Sequence, residues 1–123
     1  MDQTATIIVV DDDQSVRESL PELIRECGYA SRTYSSAEEY LASGDVEHTN
    51  CLILDVAMPG MTGRELQIEL RKQQADVPIV FITAIQNEAI RALVIEEGAV
   101  ACLLKPFGDE ELFAAISSAL QQK

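Results

Sequence analysis

Apolar and polar residues fall in blocks along this chain. Four short apolar runs stand out, Ile7 to Val10, Cys51 to Leu54, Ile79 to Ile82 and Ala101 to Leu104. Each hands over to polar chemistry at the same end: Asp11 and Asp12 after the first, Asp55 after the second, then Thr83, then Lys105. Runs of this length, bounded by turn residues, predict buried strands, and the spans between them carry helical spacing. Strands that are apolar throughout and alternate with helices predict an α/β protein, a doubly wound parallel sheet covered on both faces. In such open sheets ligands bind beyond the carboxyl ends of the strands, where strand order reverses. If the order is 2-1-3-4-5, the first strand lies beside the third, and Asp11, Asp12 and Asp55 face one another across that crevice.

In chain order, residues 1 to 6 form a short lead-in to the first strand. Asp11-Asp12-Asp13-Gln14 opens a helix whose inward positions are Val16, Leu20, Leu23, Ile24 and Cys27, stopped by Gly28. Pro21 lies deep in that helix and predicts a bend, since an interior proline costs ~3 kcal/mol. Ala30 to Tyr34 alternates and carries Arg32, as an edge strand would, and Ser35 or Ser36 caps a short helix to about Ala42. Residues 43 to 50 are loop, with His48 solvated. The helix after Asp55 spans about Gly63 to Gln74, with Leu66 and Leu70 inward. Asn87 or a neighbour caps the next, with Ile90, Leu93 and Val94 inward and Gly98 as its stop. Asp109 caps the last, which turns Leu112, Phe113, Ile116 and Leu120 to the core.

At 123 residues the chain is one domain, and no apolar run approaches the ~20 residues of a membrane span. No basic, apolar leader opens it, so it reads as cytosolic with no membrane attachment. A net charge of -12 with nine Lys and Arg argues against nucleic-acid contact by this segment. Cys27, Cys51 and Cys102 are odd in number and set in apolar patterns, which predicts core thiols.

The three converging carboxylates define the chemistry. Each pair at about 4 Å costs ~4 kcal/mol at the effective dielectric near a protein surface, and one ammonium, Lys105, cannot neutralise all three. A divalent cation is implied, and an all-oxygen set with room for water suits Mg²⁺, which also favours phosphate oxygens. Asp55, alone at the end of the central strand, is the candidate nucleophile for a phosphoryl group. Asp11 and Asp12 are candidate metal holders, with the backbone carbonyl of Ala57 as a further ligand. Lys105 and the Thr83 hydroxyl would balance charge on the phosphoryl oxygens. Taken singly, the acids could be helix-terminal caps, Thr83 a loop hydroxyl and Lys105 a surface charge. Their joint placement at four strand ends points to a site.

The same residues resemble the receiver domains of bacterial two-component response regulators over nearly the whole chain. The resemblance is carried by Val10-Asp11-Asp12-Asp13, Leu54-Asp55 with Met58-Pro59-Gly60-Met61-Thr62-Gly63, Thr83-Ala84, Gly98-Ala99 and Lys105-Pro106-Phe107. It extends most to receivers that precede LuxR-class helix-turn-helix domains. It implies a flavodoxin-like (βα)5 fold and Mg²⁺-dependent phosphoryl transfer from a sensor histidine kinase to Asp55. It also implies a switch on the face of the fourth helix, last strand and final helix, homodimerisation on phosphorylation, a cis Lys105-Pro106 bond, and an output in transcription through a following DNA-binding domain.

Two departures from the family pattern bear on signalling. The position three before the lysine is usually aromatic and is here Cys102, too small for the same rotation, which shifts the expected switch toward the fourth helix and the Thr83 to Ile85 loop. The positions two after the aspartate and two after the threonine are Ala57 and Ile85, neither able to orient an attacking water. Slow self-hydrolysis is expected, with Ile85 as a screen. The rival reading is a haloacid-dehalogenase-type phosphatase with Asp11 as nucleophile and Asp13 as acid/base. It leaves Asp55 unexplained and lacks room for a cap domain. A flavin module of the same fold lacks the Ser/Thr/Gly-rich phosphate loop after the first strand.

Overall fold

The computed structural model describes residues 4–121. The elements are β1 (Thr6–Val10), α1 (Gln14–Glu26), β2 (Ala30–Tyr34), α2 (Ala37–Ala42), β3 (Cys51–Asp55), α3 (Gly63–Lys72), β4 (Ile79–Thr83), α4 (Glu88–Glu96), β5 (Ala101–Leu104) and α5 (Asp109–Gln121). All four strand pairings are parallel and the order is β2-β1-β3-β4-β5, as expected. The registers set Val10 against Leu54 and Asp55 against Ile82, so Asp11 and Asp12 just after β1, Asp55 at the end of β3 and Thr83 at the end of β4 emerge at one edge.

The pleat sorts the apolar residues into two cores. Ile8, Val10, Leu52, Leu54, Phe81 and Cys102 pack with Tyr40 of α2, Leu66 and Leu70 of α3 and Val94 of α4. Their strand neighbours Ile7, Val9, Cys51, Ile53, Val80 and Ile82 pack with Leu20 and Ile24 of α1 and Leu112 and Ile116 of α5. Alternate strand residues point to opposite faces, so a strand apolar at every position serves both cores at once. Each large side chain taken wholly out of water contributes about 1.5–3 kcal/mol. All five residues of β3 are buried, the carboxylate of Asp55 included.

Local chemistry sets the helix ends. Ser36 caps α2 by accepting from the Glu39 N–H, and Asn87 caps α4 by accepting from the N–H groups of Ala89 and Ile90. Thr62 and Glu65 form a reciprocal capping box that starts α3 right after the turn behind Asp55.

Several boundaries differ from expectation. Thr6 belongs to β1, held by its N–H bond to Asn50 Oδ1 at 2.8 Å, while residues 1–3 of the expected lead-in lie outside the described residues. The 43–50 loop contains a turn of 3-10 helix, Val46–His48. α3 ends at Lys72 rather than Gln74, which adopts a φ of 58° and turns the chain toward β4. Asp109 is the first residue of α5 and not its cap; the carbonyl of Gly108 accepts from Leu112 N–H and the Gly108 N–H donates to Glu111 Oε1. Cys27 follows the last turn of α1 and is exposed, so only Cys51 and Cys102 are core thiols.

Candidate functional site

β1 and β3 are adjacent and in register, so Asp11, Asp12 and Asp55 meet at their carboxyl ends. One carboxylate oxygen from each lies within 4.8 Å of the others. Asp11 is fully buried and Asp55 nearly so, whereas Asp12 is exposed. Two inner ligands and one facing water suit a hydrated cation.

Asp11 is the most heavily tied of the three. One oxygen accepts from the Asp13 N–H at 2.9 Å, and the other from Lys105 Nζ at 2.9 Å. Its backbone carbonyl accepts from Arg17 Nη1 at 2.9 Å. Asp55 has less support: its Oδ1 accepts from the Ala57 N–H at a long 3.4 Å. Burial, and then the negative charge of Asp11, push the Asp55 carboxyl up to about 7, against a smaller opposing pull from Lys105. The pocket is thus short of positive charge, and the cation implied by its residue types fits the residues present. Ala57, two residues after Asp55, is exposed.

Thr83, at the end of β4, is almost buried, and its hydroxyl accepts from the Ile85 N–H at 3.1 Å. Lys105 is placed by its own N–H bond to the Thr83 carbonyl at 2.7 Å and precedes a cis bond to Pro106, as the resemblance implies. All five predicted side chains therefore gather at one edge. Asp13, the acid/base of the rival phosphatase reading, instead caps α1 by accepting from the Ser15 N–H.

Cys102 lies under α4, and its thiol is raised by burial, which fits packing better than redox chemistry. With no aromatic ring there, a cavity of about 210 Å³ opens between Val56, Thr83, Ile85, Ile90 and Cys102. The Ile85 side chain is 61% exposed and closes only part of this edge.

Three site neighbours escaped the sequence reading. Arg17 gave no signal beyond a cation on α1. Gly63 sat in plain view in the turn motif; a Cβ there would come within 2.2 Å of the Asp55 carbonyl oxygen, so only glycine lets α3 start against the back of the acid. Glu38 looked like an ordinary acid in the first turn of α2, yet its Oε2 accepts from the Met61 N–H at 3.0 Å.

The sequence profile of the response regulator receiver domain matches residues 7–117. The response regulator protein TodT of Pseudomonas putida is 38% identical over 120 residues, covering 98% of this chain and 53% of that protein. The transcriptional regulatory protein TdiR of Thauera aromatica is 35% identical, covering 94% of this chain and 51% of its own length. The chain thus spans about half the length of the curated relatives it matches. Among solved structures, the crystal structure of FixJ-N superposes with a TM-score of 0.89 at 32% identity, covering 99% of this chain and 98% of that one.

Proposed function

The chain belongs to the response regulator receiver domain family, and from that membership we propose that Asp55 is a phosphoacceptor serving a sensor histidine kinase. The observation that carries this reading is the cluster of Asp11, Asp12 and Asp55, with Asp55 at the end of the buried central strand and one ammonium nearby.

In the proposed transfer a carboxylate oxygen of Asp55 attacks the phosphorus of a kinase phosphohistidine. A P–O bond forms, the P–N bond breaks, and the imidazole leaves with the electron pair and takes up a proton. Asp11, Asp12, Asp55 and the Ala57 carbonyl would hold Mg²⁺, which when bound offsets charge on carboxylates and phosphoryl oxygens alike. Lys105 is positioned by Asp11 to reach a phosphoryl oxygen. Thr83 can donate its hydroxyl proton to another oxygen.

To do so, Thr83 redirects the hydroxyl proton that it now aims at the Ile85 carbonyl at 3.5 Å. The loop into α4 then loses an anchor, with the cavity beside Cys102 giving it room to move. This favours α4 and its preceding loop as the signalling element, ahead of a rotating ring on β5. Ala57 and Ile85 offer no polar side chain to align water, so the phosphorylated state is long-lived. Because the relatives extend well beyond the matched segment, the output is assigned to a further domain that binds DNA, with homodimerisation on phosphorylation and a cytoplasmic setting.

The test is intact mass after incubation with a small-molecule phosphodonor, with Mg²⁺ or with excess chelator, on wild type and Asp55→Asn. One phosphate is expected on wild type with metal alone. No adduct under any condition would sink the proposal, and an adduct retained by Asp55→Asn but lost in Asp11→Asn would favour the phosphatase reading.

A further inference from the structure

The turn behind Asp55 is tied at its two ends by the sheet and by α3. Val56 N–H donates to the Ile82 carbonyl at 3.0 Å, and Gly63 N–H donates to the Val56 carbonyl at 3.0 Å. Between those ties the backbone has less to hold it. Asp55 reaches the Ala57 N–H only at 3.4 Å, Pro59 has no N–H, and Gly60 sits at a φ of 74°, a conformation that favours glycine. At that midpoint a carboxylate arrives from another helix. Glu38 Oε2 accepts from the Met61 N–H at 3.0 Å, and the same oxygen lies 2.7 Å from where a Gly60 Cβ would stand.

We infer that Glu38 is a positioning residue for the acidic pocket: by holding the Met61 N–H it fixes the turn and thereby the backbone of Ala57. This rests on the proposed phosphoacceptor reading for its purpose. Its geometry does not depend on it. The Glu38 carboxyl is held below its ordinary range by its own N–H and then by that of Met61, so the charged acceptor persists to lower pH than in an ordinary glutamate. Because the Ala57 carbonyl is the one proposed ligand with no side chain to adjust, its aim depends wholly on the turn. Loss of the clamp therefore weakens metal binding rather than the reactivity of a loaded pocket. Groups that orient ligands from behind commonly set about 10–100-fold in metal affinity, and a clamp one step further out is expected to give about threefold or more.

The neighbouring Glu39 supplies an internal control. It carries the same charge on the same turn of α2, but its carboxylate accepts from the Ser35 N–H and not from the β3–α3 turn. Mg²⁺ titrations followed by amide NMR would be run on wild type, Glu38→Ala, Glu38→Gln and Glu39→Ala, with phosphodonor labelling at subsaturating and saturating Mg²⁺. Glu38→Ala should raise the Mg²⁺ midpoint about threefold or more, slow labelling at low Mg²⁺, and approach the wild-type rate at saturation. Glu38→Gln, which keeps an acceptor oxygen, should recover most of the affinity, and Glu39→Ala should match wild type. Equal midpoints for Glu38→Ala and Glu39→Ala would overturn the proposal. If Glu38→Ala proves unfolded, the shortened Glu38→Asp replaces it with the same expected rise, and a wild-type midpoint there overturns the proposal equally. Failure of the phosphoacceptor reading would show separately, as wild type that binds Mg²⁺ but takes up no phosphate.

Discussion

Lys105 Nζ stands 2.9 Å from Asp11 Oδ2, an ion pair spanning 94 positions of sequence, and its carboxylate is wholly buried. The pair brings a cation to the cluster of Asp11, Asp12 and Asp55. Removing one member of a buried pair strands the other, at a cost of about 3 kcal/mol when the survivor stays charged. Lys105→Met should therefore lower the urea midpoint markedly in chelator, with Mg²⁺ restoring part of the loss. An unchanged midpoint in chelator would show that the ion pair contributes nothing.

The Asp55 carboxyl, raised to about 7 from an ordinary 3.8, makes stability depend on pH. Between those values the folded state holds a proton that the unfolded state has released, so stability falls as pH rises. This contribution is complete below about pH 4 and gone above about pH 7. Urea unfolding of wild type in chelator should show that decline between pH 5 and 7, and Asp55→Asn should lack it. The opposite slope, or the same slope in both proteins, would refute the assignment.

Gly63→Ala places a methyl 2.2 Å from the Asp55 carbonyl oxygen and 3.1 Å from the Phe81 ring. Backbone on one side and a core ring on the other leave little room to yield, so a loss of about 3 kcal/mol or more is expected. Denaturant unfolding measures the loss, and phosphodonor labelling at matched folded fraction should show slower modification, since Asp55 must shift with its carbonyl.

Among the three thiols, Cys27 is exposed, while burial pushes Cys51 up to about 12. Intact mass after brief maleimide treatment of native protein should show one adduct, absent from Cys27→Ser. The second and third should appear only on unfolding.

The strands, their order and the five site side chains were legible because a parallel sheet covered on both faces requires continuous apolar runs, and polar residues at their ends mark where the core stops. What escaped depends on three-dimensional proximity or on local end effects. Glu38 meets Met61 across 23 positions with no periodic signal, and Gly63 shows its reason only once α3 is seen against Asp55. Cys27 fits the helical spacing of α1 but lies just past its end, where the inward stripe has already stopped. Asp109 is a favourable residue at a helix start, and the cap fell one position earlier because Glu111 folds back onto Gly108.

The two cores of the sheet also divide the site. Asp55 continues the row of Cys51 and Ile53 over the α1 and α5 side, whereas Thr83 continues the row of Ile79 and Phe81, which pairs with Cys102 over the α4 side. The sheet is a partition with the site on its rim: the Asp55 carboxylate is rooted in one compartment, and the Thr83 hydroxyl in the other. Deleting a single apolar residue within β4 would keep every site side chain and still break the arrangement, because a one-residue slip turns Thr83 into the wrong compartment.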